Sequence, residues 1–211
     1  VSFLDSDDLL LPNYFQEAYT FTLQNPKSVF LSLAYQVVSP KGETIYQQNK
    51  RKGNLAKQLA TGNHLSCIGV FVKKEIIQKH LFNENRELSG TEDYELWLRL
   101  ASLYPLDFSN VVVASIVNHE ERSVLNIDEE KLVKRMEILF DCLKSNASFL
   151  DFYCVSGFKS IKAHSWLYVA LHLAMAKKRK TAFKYALKAV REKSNVIFTK
   201  KFLVIFKKLF F

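Results

Sequence analysis

The spacing of apolar and polar positions divides the chain in two. In the first part, short apolar runs alternate with polar turns. Residues 29–38 are rich in β-branched and aromatic types and predict a strand. Ser39-Pro40-Lys41-Gly42 is turn chemistry, and residues 44–47 predict a return strand. Residues 1–4 predict a buried strand, residues 66–72 another, and residues 108–117 the clearest buried strand of the chain. Helices are predicted over 13–24, 54–60 and 73–80. Pro12 suits the start of the first, since its missing N–H costs nothing in an opening turn. Ser89 and Glu92 match a capping box, which predicts a helix from there to about residue 103.

From residue 128 onward the periodicity is helical throughout. Leu132, Met136, Leu139, Phe140 and Leu143 mark one helix, Trp166, Leu167, Ala170, Leu173 and Ala174 a second, and Ala182, Tyr185, Ala186 and Ala189 a third. The last two are similar to one helix pair of the tetratricopeptide type. A solenoid needs roughly three such repeats to bury its faces. The expectation is therefore an α/β part over residues 1–127 followed by an all-α appendage over residues 128–211.

Composition narrows the function classes. With 48% hydrophobic residues in 211, a disordered chain is excluded. Cys67, Cys142 and Cys154 form no CxxC pair, which argues against a disulfide framework or structural zinc and for a reducing compartment. No apolar run approaches the ~18 residues of a membrane span. The net charge of +9 is unevenly placed. Residues 1–127 hold 12 basic and 14 acidic residues, whereas residues 128–211 hold 18 and 7. A near-neutral body followed by a basic segment points to an anionic partner for the latter.

Three places could carry chemistry. In Phe3-Leu4-Asp5-Ser6-Asp7-Asp8 an apolar segment ends in three carboxylates that repel one another. A hard divalent cation such as Mg²⁺ or Mn²⁺, bridging carboxylates to a diphosphate, would offset them. The plainer reading is a solvated acidic turn. In Ser89-Gly90-Thr91-Glu92-Asp93-Tyr94-Glu95-Leu96-Trp97-Leu98-Arg99-Leu100 an acidic pair opens an apolar, aromatic helix, which ordinary capping plus a core stripe also explains. The third is His119, which follows the last predicted strand beside Glu120, Glu121 and Arg122.

In order and spacing, these segments resemble the family 2 glycosyltransferases of the GT-A fold. The shared pattern is a DxD motif of the form FLDxDD followed by a proline (Pro12), then an ED pair leading into LWLRLA (Leu96 to Ala101). Asn63-His64-Leu65-Ser66-Cys67-Ile68-Gly69-Val70-Phe71-Val72-Lys73-Lys74 is similar to the strand before the family's acceptor-side helix. The likeness covers residues 1–125 and leaves out the helical part.

The resemblance implies a partial GT-A, Rossmann-like sheet and a metal-dependent, inverting transfer. A sugar would pass from a nucleotide-diphosphate donor to a saccharide or lipid-linked acceptor hydroxyl, in envelope or surface polysaccharide or glycolipid synthesis. It implies Asp93 as catalytic base, Asp7 and His119 at a divalent cation (Mg²⁺ or Mn²⁺), Asp5, Asp8 and Arg122 at the nucleotide sugar, and Glu92 and Trp97 on the acceptor side. It also implies that three strand–helix units of ~30 residues each precede Val1, so the 211-residue chain is expected to be inactive alone.

Two other readings stay open. A haloacid-dehalogenase-like phosphatase also begins with an apolar strand ending in DxD, although Leu9 stands where that motif wants Thr or Val. A non-catalytic module could act through the basic segment, where Lys200, Lys201, Lys207 and Lys208 interleave with Phe198, Phe202, Phe206, Phe210 and Phe211. Such a segment suits an anionic membrane surface, and no nucleic-acid recognition motif accompanies it. The expected location is the cytoplasm or the inner face of a membrane.

Overall fold

The computed structural model describes residues 1–48, 50–118 and 128–210. The protein is a mixed α/β structure built on a five-stranded sheet. β1 (Leu9–Leu10) is followed by α1 (Tyr14–Gln24), β2 (Phe30–Val38) and β3 (Thr44–Gln47). Next come α2 (Leu55–Gln58), β4 (Val70–Val72), α3 (Lys74–Ile77), α4 (Glu92–Leu103) and β5 (Asp107–Val117). Four helices complete the chain: α5 (Glu129–Lys144), α6 (Ala147–Met175), α7 (Arg179–Glu192) and α8 (Lys200–Phe210). No helix among the described residues is long and apolar enough to cross a membrane.

β2 is the centre of the sheet. It runs parallel to β5, while its other edge pairs antiparallel with β4 through Phe30–Ser32 and with β3 through Gln36–Val38. Burial on both faces explains its nearly unbroken apolar sequence. On one face, Tyr14 and Ala18 of α1 pack over Leu31, Leu33, Ile68 and Val113, and the Tyr14 hydroxyl donates to the Ile68 carbonyl at 2.7 Å.

The other face carries α4. Leu96, Trp97, Leu98 and Leu100 are all buried, so this helix is apolar on almost every side. Its one interior acid, Glu95, holds Arg99 at 2.9 Å, and Arg99 also donates to the Leu81 carbonyl. Beyond α4 lie the later helices. A single hydrophobic cluster runs from Phe30 and Val70 of the sheet through α4 to Trp166, Ala182 and Ile205. The helices thus share the core of the sheet instead of hanging from it. Tyr153 reinforces the joint by donating its hydroxyl to the Ala56 carbonyl at 2.7 Å.

Two predicted strands differ. Residues 1–4 make one isolated bridge, Ser2 to Phe71, and Val1 and Leu4 are exposed, because the segment lies along the outer edge of β4. In residues 66–72 only Val70–Val72 is extended. Cys67–Gly69 is a 3₁₀ turn, with the Ser66 hydroxyl accepting from the Gly69 N–H at 3.3 Å. Gly69 presses against β2 so closely that a Cβ there would stand 2.7 Å from the Leu33 carbonyl oxygen. The predicted capping box also forms differently. Thr91 is the N-cap of α4, and Glu92 folds back to accept from the N–H groups of Gly90 (2.5 Å) and Thr91 (3.0 Å).

α5 starts at Asp128, whose carboxylate accepts from the N–H groups of Glu130 and Lys131. α6 and α7 fold against each other, with Trp166 stacked on Tyr185 at 5.5 Å. α6 is broken at Cys154, where φ is 55° and ψ 178°, dividing its 29 residues into two helical pieces.

Candidate active site

Asp93 sits in the first turn of α4, at the foot of a cleft of ≈ 430 Å³. The loop at Gly62, Asn63 and His64 forms one side and the turn at Gly90 and Thr91 another. The back wall comes from the helices: Met136 of α5, His164 and Tyr168 of α6, and Lys201 of α8.

The Asp93 carboxylate is fixed from two directions. Asn63 donates its side-chain amide to Oδ2 at 2.8 Å, and the Tyr94 N–H reaches Oδ1 at 2.6 Å. Burial pushes its pKa up to about 6. The two hydrogen bonds pull it down, and the like charges of Glu92 and Asp5 raise it further. The result is a carboxylate poised near neutrality, whose acidity and orientation are both set by neighbours.

The other acidic motif comes close. Asp5 and Asp7 are exposed on a turn closed by the Asp8 N–H donating to the Asp5 carbonyl at 3.2 Å, and Asp8 is half-buried. Cys67 is influenced by both motifs. Burial raises its pKa, and the charges of Asp93, Asp5, Glu92 and Asp8 raise it again. Two acidic stretches far apart in sequence are therefore both within electrostatic reach of one thiol.

Among the described residues, no group of three or more His, Cys, Asp or Glu side chains converges as a metal cage. The Asp5–Asp7 turn offers hard carboxylate oxygens at the surface. That donor set fits an Mg²⁺-type ion that takes its other ligands from water and a diphosphate. His119 and Arg122 lie outside the described residues.

Trp97 is not on the acceptor side. It is fully buried (0% exposed) and packs against Phe3, Phe30 and Phe82 at centroid distances of 5.8 to 6.2 Å. The Glu92 carboxylate is engaged by the turn it caps, so it shapes the cleft through the backbone of Gly90 and Thr91.

The back wall leaves no signal in the sequence. His64 and His164 are each lowered to about 4 by burial first and by nearby cations second, Arg51 and Lys201 for His64 and Lys201 and Lys193 for His164. Both are neutral at physiological pH. Burial also lowers the pKa of Lys201. Asn63 and His64 stand in the quoted 63–74 segment, but nothing there marks them as partners of Asp93. Lys201 is one of many lysines in a basic helix, and only the packing of α8 singles it out. No protein-family model and no curated protein matches this chain.

Proposed function

We propose that the chain supplies the acceptor-side and metal-side parts of an inverting glycosyl-transfer centre of the family 2, GT-A type. Its donor is a nucleotide-diphosphate sugar, and its acceptor is a saccharide or a lipid-linked hydroxyl. The observation that carries this reading is a half-buried carboxylate with its pKa near 6, held by Asn63 and Tyr94 within electrostatic reach of Asp5.

In this reading an acceptor hydroxyl enters the cleft and hydrogen-bonds to Asp93. Its oxygen attacks the anomeric carbon and its proton passes to the Asp93 carboxylate. The bond from that carbon to the diphosphate oxygen breaks on the opposite face, releasing the nucleoside diphosphate and inverting the configuration at the anomeric carbon. A carboxylate is a weak base for an alcohol, so orientation supplies much of the rate, and Asn63 provides it here. A divalent cation held by Asp7, with Asp5 beside it, would neutralise charge on the departing diphosphate. Asp8 would support the same turn.

The test offers a panel of nucleotide sugars and Mn²⁺ to a polypeptide that carries these 211 residues, and follows nucleoside diphosphate release and sugar transfer. Asp93→Asn is expected to retain donor binding and lose transfer by about 10²-fold or more. Full transfer by that variant rejects the base assignment. Release of phosphate from a simple phosphoester, with no sugar transfer, favours the phosphatase reading.

A second, non-catalytic reading has its own observation. α8 exposes Leu203, Val204, Phe206 and Phe210 beside Lys200, Lys207 and Lys208, a composition suited to an anionic membrane surface.

A further inference from the structure

Two cations border the cleft without an ion-pair partner among the described residues. The Lys201 ammonium, from α8, lies 3.9 Å from where a Cβ on Gly62 would stand. The Arg135 guanidinium, from α5, lies against Gly90 at the rim, 3.0 Å from the corresponding Cβ position. Neither side chain makes an ion pair or a hydrogen bond among the described residues, and the Nε of Arg135 is buried without a partner. Elsewhere on the helices, Lys162 pairs with Glu192 at 2.6 Å, Lys134 with Glu87 at 2.9 Å and Lys188 with Glu137 at 3.9 Å. Lys201 and Arg135 both border the cleft, one beside Gly62 and the other beside Gly90.

Burying a cation without a counter-ion is costly, and both side chains are half-buried at the cleft. Asp93 does not relieve it. Its hydrogen bonds come from Asn63 and Tyr94, and its proton affinity is raised rather than depressed. Tyr168 of the back wall is subject to the charges of both Arg135 and Asp93. The imidazoles of His64 and His164 adjoin Lys201 and are neutral, so they add N–H donors or acceptors without adding charge.

We propose that this wall is an anion subsite, in which Lys201 and Arg135 hold a phosphate or carboxylate group of the acceptor and so direct its hydroxyl to Asp93. The proposal rests on reading Asp93 as the base and adds the class of acceptor: one carrying an oxyanion near the reacting hydroxyl. A paired oxyanion would supply the counter-charge that Lys201 and Arg135 lack and would anchor the acceptor at a fixed distance from the base.

The test is a titration of the 211-residue chain with inorganic phosphate and, separately, with acetate. It is followed at pH 7.5 by the imidazole carbon–proton signals of His64 and His164. The expected result is a saturable shift of both with at least one anion, weakened at least about tenfold in Lys201→Met and in Arg135→Met and retained in Lys201→Arg. The two methionine variants lie on different helices and keep an apolar stem, and circular dichroism reports their folding. No saturable shift in the unsubstituted chain overturns the proposal, as does equal affinity in either folded methionine variant.

Sedimentation with phosphatidylcholine vesicles, with and without phosphatidic acid, locates the source of a bound phosphate. A gain that depends on Lys201 supports the subsite with a lipid-borne group. Phosphate binding without that gain supports it with a soluble one. Asp93→Asn separates the two readings. Loss of transfer with no anion binding removes the subsite alone, whereas anion binding with transfer intact removes the base alone.

Discussion

Asn63 donates its side-chain amide to Asp93 Oδ2 at 2.8 Å, tying a loop before β4 to the first turn of α4. This bond favours the ionised carboxylate and opposes the burial that raises its pKa to about 6. As a base, Asp93 works only when deprotonated, so transfer should rise with pH through that value. Asn63→Ala removes a bond to the charged form. It should move the acidic limb of the pH–rate profile up by roughly 0.5–1 unit. A limb that stays in place shows that Asn63 does not tune the base.

The same carboxylate affects stability. Its proton is held more tightly in the folded chain (about 6) than at its ordinary value of 3.8, so its contribution is most favourable below pH 3.8. That contribution is lost as pH rises through 6. At pH 7.5 the buried charge costs on the order of 2 kcal/mol, allowing for the face left open to the cleft. Asp93→Asn should therefore melt higher than the unsubstituted chain at pH 7.5, with the difference shrinking toward zero near pH 4. Equal melting temperatures at pH 7.5 would sink this account.

Gly69 is needed for space. A Cβ there would meet the Leu33 carbonyl oxygen of the central strand at 2.7 Å, and backbone cannot yield as a flexible side chain can. Gly69→Ala should destabilise by about 1–3 kcal/mol, read as a lower urea midpoint with an unchanged slope. An unchanged midpoint would mean that the 3₁₀ turn shifts freely.

The exposed face of α8 can be tested by point substitution but not by deletion. Ile205 and Leu209 of the same helix are buried, so removing it opens the core. Lys207→Gln with Lys208→Gln should weaken binding to anionic vesicles by about 1 kcal/mol per residue, and Phe206→Ser with Phe210→Ser should weaken it further. Vesicle binding that resists both pairs, or that ignores ionic strength, rejects a membrane role for this face.

Much of the fold was legible from local pattern. β2, β3 and α1 fall where their apolar spacing and turn residues put them, because each is decided by which of its faces is buried. Cys67–Gly69 reads as strand by composition, yet a close approach to Leu33 converts it to a turn, and such contacts leave no local signal. Asp93 could be singled out because it opens a helix beside a second acid. Trp97, four residues further on, gave no sign of which way it faced, and it faces the core. Lys201, His164 and Arg135 were invisible as site residues for a related reason. Each is one polar position on its helix, and only the packing of α5 and α8 on α6 brings them to the same cleft.

The break at Cys154 has a consequence for how this wall can change. In an unbroken helix, one inserted residue rotates everything beyond it by about 100°, which would swing His164, Ser165 and Tyr168 away from the cleft. The non-helical backbone at Cys154 interrupts that transmission of helical phase. The piece that carries Phe149 and Tyr153 can gain, lose or re-register residues against α2 while the row at 164, 165 and 168 keeps its angular setting. The anchoring end and the cleft-facing end of α6 are in that sense free to vary separately.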